Sequence, residues 1–271
     1  MASGAGGKNH PGLHSRQLRW VRRVSHFEGR QLTGTGALME EPTRFVLRVN
    51  YKKTGRLRHL GHLDLLRAQE RSIRRASLPF CLTQGYSPRM KCAYSAALPV
   101  GAASEHEYFD LSLSSYLEPE EALARLQRST PQDLAPIAAA YVDPHSPALG
   151  AWLDRSRWQL DLATQASAHA LAEALTALAE KGQLTYLRGR KEKKVDLTST
   201  LVGWTVEPRQ PGWLRVVVDT RSSNEGALRP EVLVRAAFDD AALAGETLEA
   251  CHVERLGQWH EEKDGSLVKA L

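Results

Sequence analysis

His62 and Asp64 stand two residues apart, with His59 three residues before them. A histidine beside a carboxylate can act as a general base with its orienting partner, or as a metal ligand. Two positions apart on a helix, however, they point to different faces. Asp64 near a helix start reads more simply as a partner of the helix dipole. Arg67, Arg71, Arg74 and Arg75 follow at helical spacing. The planar guanidinium fork matches phosphate oxygens. A solvated helix face normally interleaves acids at i,i+4, and here Glu70 alone does so, which favours anion binding over simple solvation. The run Gly85-Tyr86-Ser87-Pro88-Arg89-Met90-Lys91 places an aromatic and two bases on one loop. A nucleobase can stack on Tyr86 while Arg89 and Lys91 hold the backbone; the alternative is a turn whose tyrosine packs on the core. Arg188, Arg190, Lys191, Lys193 and Lys194 form a basic hairpin-like tip that reaches phosphate or is a solvated turn, with Asp196 as its anchor.

Other chemistry is poorly served. Glu107 and Asp110 are three apart on a strand, so they face opposite sides of a sheet and make no carboxylate pair. Cys81, Cys92 and Cys251 form no CxxC unit, and Cys81 and Cys92 with His59 or His62 match no zinc spacing, so no metal is expected. The thiols read as free and buried, in a reducing, cytoplasmic setting. Walker, GxGxxG and GxSxG patterns are missing from the sequence. No run approaches the ~20 apolar residues that span a bilayer, and the first residues carry no apolar leader, so no membrane is expected.

Charge is distributed unevenly. From Arg44 to Ser95 there are twelve Lys and Arg against Asp64 and Glu70, a local excess of +10 in a chain of net +5. Residues 1–43 carry +3, so the remainder carries −8. A basic segment on an otherwise acidic protein is a candidate polyanion footprint.

The elements that must position these residues can be read from periodicity. Residues 1–42, with SGAGGKNHPG and TGTG, read as an extension, and Met39 is a candidate natural start. RFVLRVNY alternates as a half-buried strand, and a helix is expected over His62 to Ser77 with Leu63, Leu65, Leu66 and Ile73 on its apolar face. PFCLT, CAYSAAL and EYFDLSL read as strands, Pro119 opens a helix with acids in its first turn, and DLAPIAAAYV closes the unit. The pattern then recurs. RWQLDLA is a strand, Ser167 caps a helix Ala168 to Lys181 that Gly182 ends, and LTYLR, KKVDLTSTLVGWTV and WLRVVVDT are strands. Pro230 opens a helix to Phe238 before TLEACHVERL. The expected fold class is α/β (α+β): two tandem ferredoxin-like sandwiches over 43–145 and 157–258, a linker at 146–156 and a tail at 259–271.

RLRHLGHLDLLRAQERSIRRASLPF and TQGYSPRMKCAYSAALPVGAASEHEYFDLSL resemble a bacterial domain of unknown function associated with radical SAM proteins, DUF2344. The residues that carry the likeness are His62, Leu63, Asp64, Arg67, Arg71, Arg74, Arg75, Leu78, Pro79, Gly85, Tyr86, Pro88, Leu98, Pro99, Gly101, Ser104, Glu107, Tyr108 and Asp110. Arg188, Lys191, Lys193, Lys194, Val195 and Asp196 resemble the family's second basic block. Met90 stands where the family has a second proline, which implies a less rigid loop. The resemblance implies a partner, a radical SAM protein with a cobalamin-type domain. The 4Fe–4S cluster and S-adenosylmethionine are expected in that partner only, because this chain lacks CxxxCxxC.

These readings converge on an RNA-binding accessory protein, facing tRNA or rRNA, that works with the radical SAM enzyme and is not itself catalytic. Two alternatives stay open. One is a ferredoxin-like, metal-independent ribonuclease using His62; the other is an adaptor that binds only protein.

Overall fold

The computed structural model describes residues 45–223 and 226–271; the expected extension over 1–42 and Arg44 lie outside them. Strand β1 (Phe45–Lys53) buries Leu47, Val49 and Tyr51 on one face. Helix α1 (His62–Arg75) buries Leu65, Gln69, Ser72 and Ile73, spaced i, i+4, i+7 and i+8, so a single stripe meets the sheet. Leu63, expected on that stripe, is exposed, because two positions from Leu65 it turns away. The expected strand PFCLT reduces to isolated bridges, Phe80 with Leu113 and Leu82 with Met90. Strand β2 is only Cys92–Tyr94, and it pairs with β3 (Ala103–Leu113). Helix α2 (Pro119–Ser129) opens on proline with Glu120 and Glu121 in its first turn, and strand β4 (Pro136–Val142) returns beside β1.

The segment read as a linker carries one helical turn, α3 (Leu149–Trp152), before strand β5 (Arg155–Ala163). Leu149 and Leu153 are buried, so this connection packs against the protein. In helix α4 (Ala168–Lys181) the Ser167 side chain accepts from the Ala170 amide, and Gly182 at φ +66° closes the end in the left-handed region where glycine is unstrained. Strands β6 (Gln183–Arg188) and β7 (Lys191–Asp196) form a separate hairpin. The run expected as one strand from Lys193 breaks there. The Asp196 carboxylate accepts from the Thr198 amide at 2.8 Å and caps the turn α5 (Leu197–Thr200), after which β8 (Leu201–Gln210) begins. Strand β9 (Trp213–Arg221), helix α6 (Pro230–Phe238), strand β10 (Ala250–Glu261) and strand β11 (Leu267–Lys269) complete the chain.

The α+β class is as expected, but two separate sandwiches do not form. One sheet runs through both halves in the order β4-β1-β3-β10-β5-β9-β8, with β2 on β3 and β11 on β10. The cause is the shortness of β2. After Tyr94 the chain leaves the sheet through a segment that includes Pro99, which has no amide to donate. The N-terminal end of β3 is therefore an open edge, and β10 pairs with it in parallel at Ala103 and Ser104. The tail is corrected likewise: β10 extends to Glu261, β11 pairs beside it, and Ala270 is buried.

Two large cores lie along the sheet, besides the small cluster of Tyr108, Leu149, Leu153 and Ala270. One joins β1 and β3 to α1 and α2. The other joins β5 and β9 to α4 and α6. The opposite face of the second half carries arginine–carboxylate pairs across strands: Arg157 with Asp219 at 2.8 Å, Arg209 and Arg215 with Asp161, Arg155 and Arg221 with Glu261. Three carboxylates thus hold five guanidiniums within that face.

Candidate polyanion cleft

Where β3 meets β10, the helices of the two halves part and leave a cleft of about 1130 Å³. Its floor is sheet, with Arg255 and Val253 of β10 and Trp158 of β5. One wall is the start of α1, with Arg58, His59 and His62, backed by residues 96–102. Gly101 at φ +90° lets this segment turn, and its amide donates to the Arg58 carbonyl at 3.0 Å. The other wall is the start of α6, including Arg229 and Glu231, and the β6–β7 hairpin supplies Tyr186, Arg188, Lys193 and Lys194. Arg221 also reaches the rim, but Glu261 holds it. The remaining cations far outnumber Glu231, which is itself bonded by Arg235.

Beneath the floor lies a buried charged cluster. Arg255 Nη1 stands 3.4 Å from Glu107 Oε1 and donates to the Ala96 carbonyl at 3.2 Å, and its guanidinium carbon lies 4.5 Å from the centre of the Trp158 ring. Its Nε is buried without an acceptor. Lys53, also buried, donates from Nζ to the Leu60 carbonyl at 3.0 Å, which ties β1 to the start of α1. Burial pushes the Glu107 carboxyl up, against the pull of Arg255, and pushes the Lys53 ammonium down. Cys251 in the cleft and Cys92 beside β3 are each raised by burial to about 12, so neither is a thiolate nucleophile at neutral pH.

The cleft collects His62, Arg188, Lys193 and Lys194 from the residues singled out in the sequence. Arg190 and Lys191 are exposed at the hairpin turn outside it, and Asp196 anchors that hairpin as a helix cap. Asp64 lies in the first turn of α1, 3.5 Å from Arg67, and does not meet His62 in the cleft. Arg67, Arg71, Arg74 and Arg75 are all exposed along α1, with Arg74 3.5 Å from Glu70. Glu107 and Asp110 go to opposite faces, one to Arg255 and the other to Arg48.

The loop containing Tyr86 sits at the other end of α1, by the C-terminal end of β3: Cys81 donates to the Ser112 carbonyl, and Ser112 to that of Lys91. Tyr86 is fully exposed, so it does not pack on the core. Met90 is buried in the first core and pins the loop base, and the Thr83 amide donates to the Arg89 carbonyl at 2.7 Å. The Met90 side chain thus anchors this loop through packing. Cleft and loop are separated by the length of α1, roughly 20 Å at 1.5 Å per residue, with the arginine stripe between them.

Sequence reasoning did not single out Arg229, Arg255, Lys53 or Tyr186. Arg255 carried a signal: in β10 it shares the apolar parity of Cys251 and Val253, where a charged side chain is out of place.

The class of molecule is thus an α+β protein whose described residues form one large mixed sheet and a separate two-stranded hairpin, with the longer helices on one face of the large sheet and a basic cleft where they part. The chain belongs to the family of uncharacterized proteins conserved in bacteria, DUF2344, whose sequence model matches residues 46–230. A search of curated proteins finds no match. Among solved structures, an unknown protein from Galdieria sulphuraria is 13% identical with a TM-score of 0.24, over 79% of this chain and 99% of that one. A "putative glycine cleavage system transcriptional repressor" is 10% identical with a TM-score of 0.21, over 78% of this chain and 98% of that one. Scores this low say nothing of function. No helix among the described residues is long and apolar enough to cross a membrane, and no group of three or more His, Cys, Asp or Glu among them is placed to hold a metal ion.

Proposed function

We propose that the protein binds structured RNA, tRNA or rRNA, as the accessory partner of a radical SAM enzyme with a cobalamin-type domain that performs the chemistry. What supports the RNA reading is the order of basic groups along α1. The cleft, the exposed arginines of α1 and the Tyr86–Lys91 loop succeed one another along one helix. Phosphate contacts of this kind position a nucleic acid, while Tyr86 and Tyr186 offer faces for unpaired bases. The partner is carried over from what the family resemblance implies, not from the geometry of the cleft.

Affinity for tRNA and ribosomal RNA, measured at several salt concentrations, tests this. With six or more phosphate contacts, binding falls on the order of a thousandfold or more between about 50 and 200 mM salt through counterion release. Affinity that ignores salt, or no binding to either RNA, overturns it. A second reading has one observation behind it: His59 and His62 line the same cleft, as acid–base cleavage of RNA requires. Cleavage of RNA by the purified chain, lost in His62→Ala, would promote that reading over the accessory one.

A further inference from the structure

We infer that the cleft floor around Arg255 binds the terminal phosphomonoester of a nucleotide, an inference that rests on the RNA reading of the same cleft. Arg255 is 3% exposed, lines the cleft and keeps a buried Nε with no acceptor. A desolvated donor is unfavourable until an acceptor arrives. Lys53 is buried alongside, and Glu107 is the carboxylate that faces both cations. Of these two cations Arg255 is the one that lines the cleft, and its single contact with Glu107, at 3.4 Å, leaves it charge for a ligand to meet.

The walls add to this. Helices α1 and α6 both begin at the cleft, at His62 and Pro230, and neither start is capped by a side chain. The positive ends of both helix dipoles favour phosphate, although Pro230 contributes no amide and Val232 donates its own to the Arg229 carbonyl. Arg229, just before α6, and Lys193 of the hairpin supply further donors around the same space. A diester in the middle of an RNA chain carries one charge, whereas a phosphomonoester carries about −1.5 to −2 near neutral pH and three acceptor oxygens. The terminal group therefore matches this concentration of donors better. Tyr186, half-buried in the wall beside Lys193, is placed to cover the attached base.

A free nucleoside monophosphate and a phosphorylated RNA end share this chemistry, and the test separates them. Binding is measured for a short single-stranded oligoribonucleotide with a 5′-phosphate, with a 3′-phosphate and with hydroxyls at both ends, and for a nucleoside monophosphate against its nucleoside. The expected result is affinity at least about tenfold higher for one phosphorylated end than for the hydroxyl-ended chain, with the advantage cut to about twofold or less in Arg255→Lys. Arg229→Ala, which disturbs no buried pair, reduces it also if Arg255→Lys fails to fold. Arg71→Ala, on the α1 stripe, weakens all oligonucleotides alike and spares the advantage. Equal affinity for phosphorylated and hydroxyl ends overturns the inference and leaves the RNA reading intact. An Arg255-dependent preference for the monophosphate over its nucleoside, with no oligonucleotide bound, upholds the phosphate site and removes the RNA reading.

Discussion

Two arginines, Arg48 and Arg255, are almost equally buried on opposite faces of the same sheet, at 2% and 3% exposure. Each lies over a tryptophan, Arg48 at 5.5 Å from the Trp152 ring centre and Arg255 at 4.5 Å from that of Trp158. Their pairing differs. Arg48 donates from Nε and Nη2 to both oxygens of Asp110 at 2.8 Å, and from Nη1 to the Ala270 carbonyl. Arg255 has one carboxylate contact at 3.4 Å, a bond from Nη1 to the Ala96 carbonyl and an unpartnered Nε. The bidentate pair uses its charge up within the fold. The incomplete one keeps charge available at a cleft. Burial alone therefore does not distinguish an arginine that locks a sheet from one that waits for a ligand; the count of satisfied donors does.

The comparison breaks most visibly if Arg48 is made to resemble Arg255. Asp110→Ala strands a buried guanidinium and is expected to cost about 3–5 kcal/mol of unfolding free energy, measured by urea denaturation. Arg48→Met with Asp110→Leu restores much of that stability, because an apolar pair carries no desolvation penalty. RNA binding by whatever remains folded is unchanged, since this pair lies on the face away from the cleft. A loss under 1 kcal/mol in Asp110→Ala would show that the close pairing of Arg48 is not what stabilises that face.

A smaller effect separates binding residues from structural ones at the other end of α1. Tyr86 touches no core, so Tyr86→Ala leaves stability within about 0.5 kcal/mol. Stacking is worth ~1–3 kcal/mol per base, so RNA affinity falls roughly five- to hundred-fold if the loop holds an unpaired base. Unchanged affinity confines the RNA contact to the cleft and the arginine stripe.

Much of the fold was legible because local chemistry fixed it. Ser167 and Gly182 bound α4 where a cap and a left-handed residue are needed, and Pro119 and Pro230 open their helices at a position that needs no amide. The joining of the halves was not legible. Alternation reveals which face of β3 and β10 is buried, yet not which edges pair, and the decision rests on how soon β2 stops. The site was half legible for the same reason. Arg188, Lys193 and Lys194 stood out as a run, but only the shared sheet brings them to His62 and Arg255 from distant parts of the chain. Arg255 sat alone among apolar neighbours, a local inconsistency of the sort that marks function.

The smallest effect tests whether the Arg255 pair is as weak as its geometry. Glu107 is buried, and burial raises its carboxyl above the ordinary value despite Arg255, Ser104 and Lys53. The native state therefore holds that proton more tightly than the unfolded chain does. Its contribution to stability is full below the unfolded value of about 4.3 and is lost as pH rises through the higher folded value. Glu107→Gln removes that decline, so the variant's stability stays flatter over this window. Near neutral pH the substitution gives up a long ion pair and the bonds to Ser104 and Gln258, but it also removes a buried charge, so the net change is on the order of 1 kcal/mol in either direction. That is well below the cost expected for Asp110→Ala. The same change withdraws the carboxylate that competes for Arg255, so a phosphorylated RNA end binds more tightly to the variant. Chemical denaturation across pH, run beside the binding assay, measures both. A loss of 3 kcal/mol or more, with weaker phosphate binding, would place Arg255 beside Arg48 as a locked structural pair and remove the distinction between them.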